Sequence, residues 1–262
     1  MKTYSENIIT ERFAQTANNY NLGIFGPPTA GKTKLVKLVL LRDLAKEPNT
    51  KIYLFSTALG EYERFVKYFR GENIEIPQSK ERVTISGPTP ITLFQPNAVK
   101  PLLTEFFDCA HNALREVLLT IRMQSYPDGF FDELEKTRAF GFGKYVDVLK
   151  KKAFFLSVAP RPKRNIIVFD TLDFFPKNST FYTNAIGMLE RGKKYNTGIV
   201  YTQSHSPTLE PSEYAEASLE YTAIPIELNY QQKPVFLKRD KNTVKKIPIK
   251  ITLKPEEEKI LY

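Results

Sequence analysis

Short apolar segments alternate with amphipathic segments along most of the chain. The apolar runs are bounded by turn residues and are too short for helices, which predicts buried strands at Asn21–Gly26, Lys51–Ser56, Asn165–Asp170 and Gly198–Thr202. Helical patterns lie between and around them, at residues 34–47, 61–70, 102–124, 130–156 and 180–194. Strands that alternate with helices predict an α/β fold with a mainly parallel central sheet.

Two regions depart from this alternation. Residues 88–101 contain Pro88, Pro90, Pro96 and Pro101, which predict a loop, and the long helical patterns follow it. After a short strand predicted at Val83–Ser86, we therefore expect residues 88–163 to form a mainly helical insertion. After residue 223 apolar and polar positions alternate, which predicts a small antiparallel β-ribbon. Residues 1–262 are interpreted as one domain, with 223–262 as a basic β extension.

The charge adds a candidate partner to this picture. The net charge is +9, from 38 Lys and Arg against 29 Asp and Glu, and residues 233–254 hold eight basic side chains and only one acid, Asp240. Residues 150–164 are also basic and contain no acid. Such segments favour a polyanion, above all a nucleic acid backbone, although a solvated lysine-rich surface explains the composition equally well.

Composition also narrows the class of protein. The single cysteine, Cys109, excludes an internal disulfide and a cysteine metal cluster. The start of the sequence is polar, and no apolar run approaches the roughly 18 residues that a membrane helix needs. We therefore expect no membrane span and a cytoplasmic location.

A phosphate-binding loop is the most specific local motif. It matches G-x-x-x-x-G-K-[ST], the Walker A motif, and stands between an apolar strand and an amphipathic helix, as this motif requires. The backbone N–H groups would surround a triphosphate, Lys32 would reach its β and γ phosphates, and Thr33 would bind Mg²⁺. The sequence therefore predicts ATP and Mg²⁺ as cofactors, bound by Gly26, Pro27, Pro28, Thr29, Ala30, Gly31, Lys32 and Thr33.

Polar residues end two of the other predicted strands. Asp170 follows four apolar residues and is a Walker B candidate that would hold Mg²⁺ through water. Gln203 directly follows the strand predicted at 198–202 and could sense the γ-phosphate or orient the attacking water. Either residue alone would be an ordinary strand end, and the phosphate loop is what favours the functional interpretation.

Two further motifs narrow the family. Residues 192–204 read GKKYNTGIVYTQS, which resembles the pattern G-R-K-Y-G-x-G-[three apolar]-T-Q-S, and Gly60-Glu61-Tyr62 is similar to the end of D-x-x-G-E-Y. In this order the motifs resemble the FtsK–HerA superfamily of DNA-pumping ATPases, over roughly residues 20–210. HerA, the conjugative-secretion ATPases and the genome-packaging ATPases of archaeal viruses look most similar.

The resemblance implies a RecA-like P-loop fold, a hexameric ring and double-stranded DNA as the substrate. It implies an ATP-hydrolysing translocase for viral genome packaging or plasmid transfer, with a capsid or secretion partner and, for a virus, the host cytoplasm as its location. Two alternatives stay open: a slowly hydrolysing ATP switch in replication initiation or loading, and an assembly factor that binds nucleotide only for structure.

Three departures from the family pattern affect catalysis. Thr171 stands where the family has a glutamate after the Walker B aspartate, and Thr57 stands at the aspartate of D-x-x-G-E-Y. Glu61 and Asp173 are therefore the candidate carboxylates for orienting water, and Glu61 is preferred because it keeps its place in the motif. The family arginine aligns with Lys193, and Arg191 lies two residues earlier. Both are candidates for a cation that reaches the γ-phosphate of a neighbouring subunit.

Overall fold

The computed structural model describes residues 21–57, 60–76, 89–97, 103–124, 162–175, 179–204, 222–240 and 243–261. In chain order the strands and helices are β1 (Asn21–Phe25), α1 (Lys32–Lys46), β2 (Thr50–Ser56), α2 (Glu63–Tyr68), β3 (Glu72–Ile76), β4 (Ile91–Pro96), α3 (Leu103–Gln124), β5 (Arg164–Asp170), α4 (Thr180–Arg191), β6 (Thr197–Gln203), β7 (Ile224–Leu228), β8 (Pro234–Asp240), β9 (Thr243–Pro248) and α5 (Pro255–Leu261). Short 3₁₀ turns follow β5 and α4, at Leu172–Phe174 and Gly192–Tyr195.

The described strands form one nine-stranded sheet in the order β3-β4-β2-β5-β6-β1-β7-β8-β9. The neighbours from β3 to β7 are parallel, and the pairs β7–β8 and β8–β9 are antiparallel. The predicted α/β class with a mainly parallel sheet is therefore confirmed.

Two apolar layers cover the sheet, because the central strands carry apolar side chains on both faces. On one face Leu22, Ile24 and Val168 pack with residues of α1, α2 and α5. On the other face Phe25 and Tyr201 pack with residues of α3 and α4. No helix among the described residues is long and apolar enough to cross a membrane.

The region expected to be a loop and a helical insertion contains a strand of the main sheet. β4 lies between β2 and β3, and its side chains are all buried. Pro90 precedes the strand and Pro96 ends it, so the prolines bound the strand and do not interrupt it. Helix α3 is as predicted, whereas the strand at 83–86 and the helix at 130–156 lie outside the described residues.

The C-terminal segment is only partly the predicted ribbon. β8 and β9 form an antiparallel pair, but β7 runs parallel to β1 and belongs to the central sheet. β7 is buried throughout because β1 and β8 flank it, and the chain continues beyond β9 into α5.

Candidate functional site

Most of the predicted site residues gather where the parallel strands β1, β2, β5 and β6 end. The loop after β1 is joined to the end of β6, because Gly26 N–H donates a hydrogen bond to Gln203 O at 3.1 Å. In an open α/β sheet the crevice at the carboxyl ends of the strands is the usual ligand site. The chain order of the elements therefore brings residues from distant motifs to one edge of the sheet.

The backbone of the phosphate loop needs glycine at two positions. Gly26 and Gly31 have φ angles of 151° and 86°, which side-chain-bearing residues rarely adopt. A Cβ on Gly26 would also lie 2.5 Å from Leu228 O. Gly31 leads directly into α1, where no side chain caps the helix N-terminus. The first N–H groups of α1 thus remain available to an anion, as in other phosphate loops.

Lys32 lies across this loop. Its Nζ donates hydrogen bonds to Gly26 O at 2.7 Å and Pro27 O at 2.8 Å. Burial lowers the pKa of the Lys32 ammonium, and the charges of Asp173 and Asp170 act in the opposite direction. A phosphate oxygen is a stronger acceptor than either carbonyl, so the Lys32 ammonium is suited to exchange these bonds for a phosphate.

Asp170 accepts three hydroxyl hydrogen bonds and is only 3% exposed. Thr33 Oγ1 and Tyr62 Oη donate to Oδ2 at 2.8 and 2.6 Å, and Thr202 Oγ1 donates to Oδ1 at 2.5 Å. The contact with Thr33 is the one expected if both side chains serve a single Mg²⁺. The carboxylate is held in one orientation by donors from three different segments.

Two of these donors, Tyr62 and Thr202, are not among the predicted site residues. Tyr62 belongs to the Gly60-Glu61-Tyr62 motif, and Thr202 directly precedes Gln203, but neither motif indicates by itself that the side chain faces Asp170. The signal that could have found Thr202 is strand register, because Phe169 pairs with Tyr201 and the next residues are Asp170 and Thr202.

The Tyr62 hydroxyl keeps its proton and donates it in the hydrogen bond to Asp170. Burial raises the pKa of Tyr62 well above its usual range, and the charge of Asp170 adds to this effect. Lys37 Nζ lies 5.7 Å from the centre of the Tyr62 ring and 3.8 Å from Glu61 Oε2. Burial lowers the pKa of Lys37, against the charges of Glu61 and Asp170. Lys37 therefore lies between the Glu61 carboxylate and the Tyr62 ring.

The two candidate carboxylates for water orientation lie in different surroundings. The Glu61 side chain is 55% exposed and pairs with Lys37. Asp173 lies in the 3₁₀ turn after β5, where its Oδ2 accepts a hydrogen bond from Ser204 N–H at 2.7 Å. Gln203, at the end of β6, is buried and stands in register with Phe25 of β1.

The candidate cations are not brought to the phosphate loop of the same chain. Arg191 is the exposed last residue of α4, and its Nε donates to Gly187 O at 3.1 Å. Lys193 lies in the following 3₁₀ turn, and its side chain is outside the described residues. Both precede the start of β6, whereas Gln203 ends it, which separates them from the site by about 20 Å of strand.

Comparisons with known proteins agree with this architecture. No protein-family model matches the chain, and no curated protein is significantly similar in sequence. A solved structure named "ATPase" superposes with a TM-score of 0.51 at 10% identity, covering 90% of this chain and 81% of that one. VirB4 of Thermoanaerobacter pseudethanolicus gives a TM-score of 0.47 at 14% identity, covering 92% and 91%.

A third similar structure is the genome-packaging NTPase B204 from Sulfolobus turreted icosahedral virus 2 in complex with AMPPCP. Its TM-score is 0.46 at 8% identity, and the match covers 90% of this chain and 100% of that one. At such identities a likeness establishes the fold alone. What the comparison shows is the α/β fold that the resemblance to FtsK–HerA-type P-loop ATPases implies.

Proposed function

We propose that this chain is an ATP-hydrolysing P-loop motor that translocates double-stranded DNA, in viral genome packaging or plasmid transfer. The observation that carries the proposal is the 2.8 Å hydrogen bond from Thr33 Oγ1 to Asp170 Oδ2, between residues 137 apart in sequence. It joins the first turn of α1 to the acid at the end of β5. A hydroxyl and a carboxylate placed together beside a phosphate loop are the pair that P-loop ATPases use for Mg²⁺.

The residues of the site fit Mg²⁺ and ATP. Thr33 and Asp170 offer oxygen ligands, which Mg²⁺ prefers, and Lys32 offers a cation for the β and γ phosphates. ATP supplies the phosphoryl group for hydrolysis. The protein residues position it: the loop N–H groups surround the phosphates, and Tyr62 and Thr202 orient Asp170.

Two further parts of the proposal concern the residue that orients the attacking water and the cation that acts between subunits. Glu61 and Asp173 are the carboxylates that would polarise the attacking water in place of the absent glutamate at Thr171, and Gln203 would sense the γ-phosphate. Arg191 and Lys193 lie at the other end of β6, so they would act on the nucleotide of a neighbouring subunit. Such a role requires an oligomer, and the hexameric ring is what the resemblance to the family implies.

The proposed DNA surface is the exposed face of the β8–β9 hairpin. Lys238 and Lys245 stand directly opposite each other in the strand register. Both side chains are exposed, so their ammonium groups could reach a phosphate backbone. Lys246 forms an ion pair with the buried Glu227. Neutralising Lys246 would remove this ion pair as well as a positive charge, and it is therefore a poor test of DNA binding.

The central experiment is a steady-state ATPase assay with and without double-stranded DNA. We expect turnover that DNA stimulates, and no ATP binding or turnover in Lys32→Ala, because the phosphate charge loses its partner. Normal ATP binding by Lys32→Ala would contradict the nucleotide site. Slow turnover that DNA does not stimulate would indicate a switch, and absent turnover with retained ATP binding would indicate a structural role.

A second experiment addresses the DNA surface. The double variant Lys238→Gln/Lys245→Gln should weaken DNA binding and reduce the slope of log K against log[salt], because fewer counterions are released. Lys67→Gln/Lys259→Gln makes the same change of charge on exposed positions of α2 and α5 and should leave that slope unchanged. Equal effects of the two double variants would mean that the hairpin lysines are only a solvated surface.

A further inference from the structure

The turn between β7 and β8 lies beside the phosphate loop. It is on the opposite side of β1 from β6 and Asp170. β1 is flanked by β6 on one side and β7 on the other. Asp170, Thr202 and Gln203 all come from β5 and β6. The turn at residues 229–233 leaves β7 at the same edge of the sheet, on the opposite side of β1.

The end of β7 and the turn that follows it lie beside the two glycines of the phosphate loop. At the end of β7, the Leu228 carbonyl oxygen lies 2.5 Å from the position that a Cβ on Gly26 would take, which is too close for a side chain. The Cδ and Oε1 atoms of Gln232 lie 3.6 Å from the Cβ position of Gly31. The turn therefore lies along one side of the phosphate loop, and the side-chain amide of Gln232 lies beside the start of α1.

Local hydrogen bonds give the turn a defined shape. Asn229 Oδ1 accepts from the N–H groups of Gln231 at 3.0 Å and Lys233 at 3.1 Å. Asn229 O also accepts from Gln232 N–H at 2.9 Å, and Gln232 adopts a φ of 57°. Asparagine side chains commonly organise turns in this way. The residue at the apex, Tyr230, is thus presented on a fixed backbone.

Tyr230 is an exposed aromatic side chain that lies outside both apolar layers of the described residues. It is 79% exposed, and among the described residues the other exposed large apolar side chains are Tyr68 at 60% and Val244 at 41%. A phenol ring held on a fixed turn offers a flat surface for stacking and loses little side-chain entropy when it is used.

We propose that the turn at 229–233 is the base-binding subsite of the nucleotide, with the Tyr230 ring stacking on a planar base. The inference rests on the proposed function, because it needs the phosphates in the loop. A γ-phosphate held near Asp170 on the β5–β6 side would leave the β7 side for the base of the same nucleotide. Gln232 can donate and accept hydrogen bonds there. Stacking favours a nucleoside triphosphate over its phosphate part alone and tolerates different bases.

The test compares two ligands, ATP and inorganic triphosphate, each with Mg²⁺, by calorimetric titration of the full chain. Tyr230→Ala should weaken ATP binding about 5- to 30-fold, in the lower range of base–aromatic stacking. The same variant should bind inorganic triphosphate as the wild type does. Tyr230→Phe keeps the ring and should retain ATP affinity, and Tyr68→Ala removes a matched exposed tyrosine elsewhere and should also retain it.

The two ligands separate the ways in which the inference could fail. Unchanged ATP affinity in Tyr230→Ala would overturn the stacking role. An equal loss for ATP and inorganic triphosphate would also overturn it, since Tyr230 would then support the phosphate loop and not the base. If the wild type binds neither ligand, the proposed nucleotide function itself is wrong, and if it binds both equally well, only the base subsite is.

Discussion

Replacing Tyr62 by phenylalanine removes one hydroxyl from the Asp170 network and little else. The ring is fully buried, and Phe fills the same space, so no cavity forms. What is lost is the 2.6 Å hydrogen bond to Asp170 Oδ2. A hydrogen bond to a charged group contributes about 1.5–3 kcal/mol to stability. Because Thr33 and Thr202 still donate to Asp170, we expect a loss near the lower end, about 2 kcal/mol.

Tyr53→Phe is the matched control. Tyr53 is also buried, and its hydroxyl bonds to the side chain of Gln124, a neutral partner. Its loss should cost only about 0.5–1.5 kcal/mol. Urea unfolding followed by circular dichroism measures both variants, and an unchanged m-value would show that the change lies in stability and not in the compactness of either state.

A second measurement distinguishes a positioning role of Tyr62 from a purely structural one. If the Tyr62 hydroxyl orients Asp170 for Mg²⁺, Tyr62→Phe should raise the Mg²⁺ concentration that gives half-maximal turnover. Tyr53→Phe should leave that concentration unchanged. A stability loss in Tyr62→Phe no larger than in the control, together with an unaltered Mg²⁺ titration, would refute the positioning role.

The remaining predictions concern catalysis and pH. Glu61→Gln should retain ATP binding and lower turnover roughly 10²-fold, and the same result in Asp173→Asn alone would assign the role to Asp173. Arg191→Ala should lower turnover with nucleotide binding intact, and mixing it with Lys32→Ala subunits should restore part of the activity if Arg191 acts between subunits. Burial lowers the pKa of Lys51 from 10.5 to about 8, so the unfolded chain binds more protons than the folded one between these values. Stability should therefore rise with pH across that window, and urea midpoints of Lys51→Met should show a flatter rise.

Local sequence pattern is sufficient to predict part of the fold. β1, β2, β5 and β6 are continuous apolar runs because both faces of the sheet are covered, and such runs are visible without knowledge of their neighbours. The phosphate-loop motif is equally visible, since glycines at this fixed spacing between a strand and a helix are typical of phosphate binding. The proximity of Thr33 and Asp170 is also predictable, because the phosphate loop and Asp170 each follow a parallel strand and such strand ends meet at one edge of the sheet.

The parts of the fold that the sequence does not predict depend on pairing between distant segments. The prolines that flank β4 are turn signals, and only the position of β4 between β2 and β3 explains why six residues there are buried. The apolar side chains of β7 suit a ribbon and a central strand beside β1 equally well. The turn at 229–233 carries ordinary turn residues, so its contact with the phosphate loop cannot be predicted from its composition.

Three separate sequence motifs each contribute a hydroxyl group that donates to Asp170. Thr33 comes from the phosphate loop, Tyr62 from Gly60-Glu61-Tyr62, and Thr202 from the T-Q-S segment, and each donates to the same carboxylate. None of these bonds involves the side chain of Thr171. In the proposed mechanism, the departure at that position would leave the orientation of Asp170 intact and remove only a carboxylate for water.

We therefore expect the carboxylate that orients water in place of the one absent at Thr171 to be energetically coupled to the hydroxyl groups around Asp170. Glu61 reaches the network through Lys37 and the Tyr62 ring. Asp173 accepts a hydrogen bond from Ser204 N–H, two residues beyond Thr202, which donates to Asp170. The two routes predict different couplings. If Glu61 orients the water, Tyr62→Phe and Glu61→Gln should be non-additive in turnover, because contacting residues share their effect. If Asp173 does so, Tyr62→Phe and Glu61→Gln should add independently, and the non-additive partner of Asp173→Asn should be Thr202→Val.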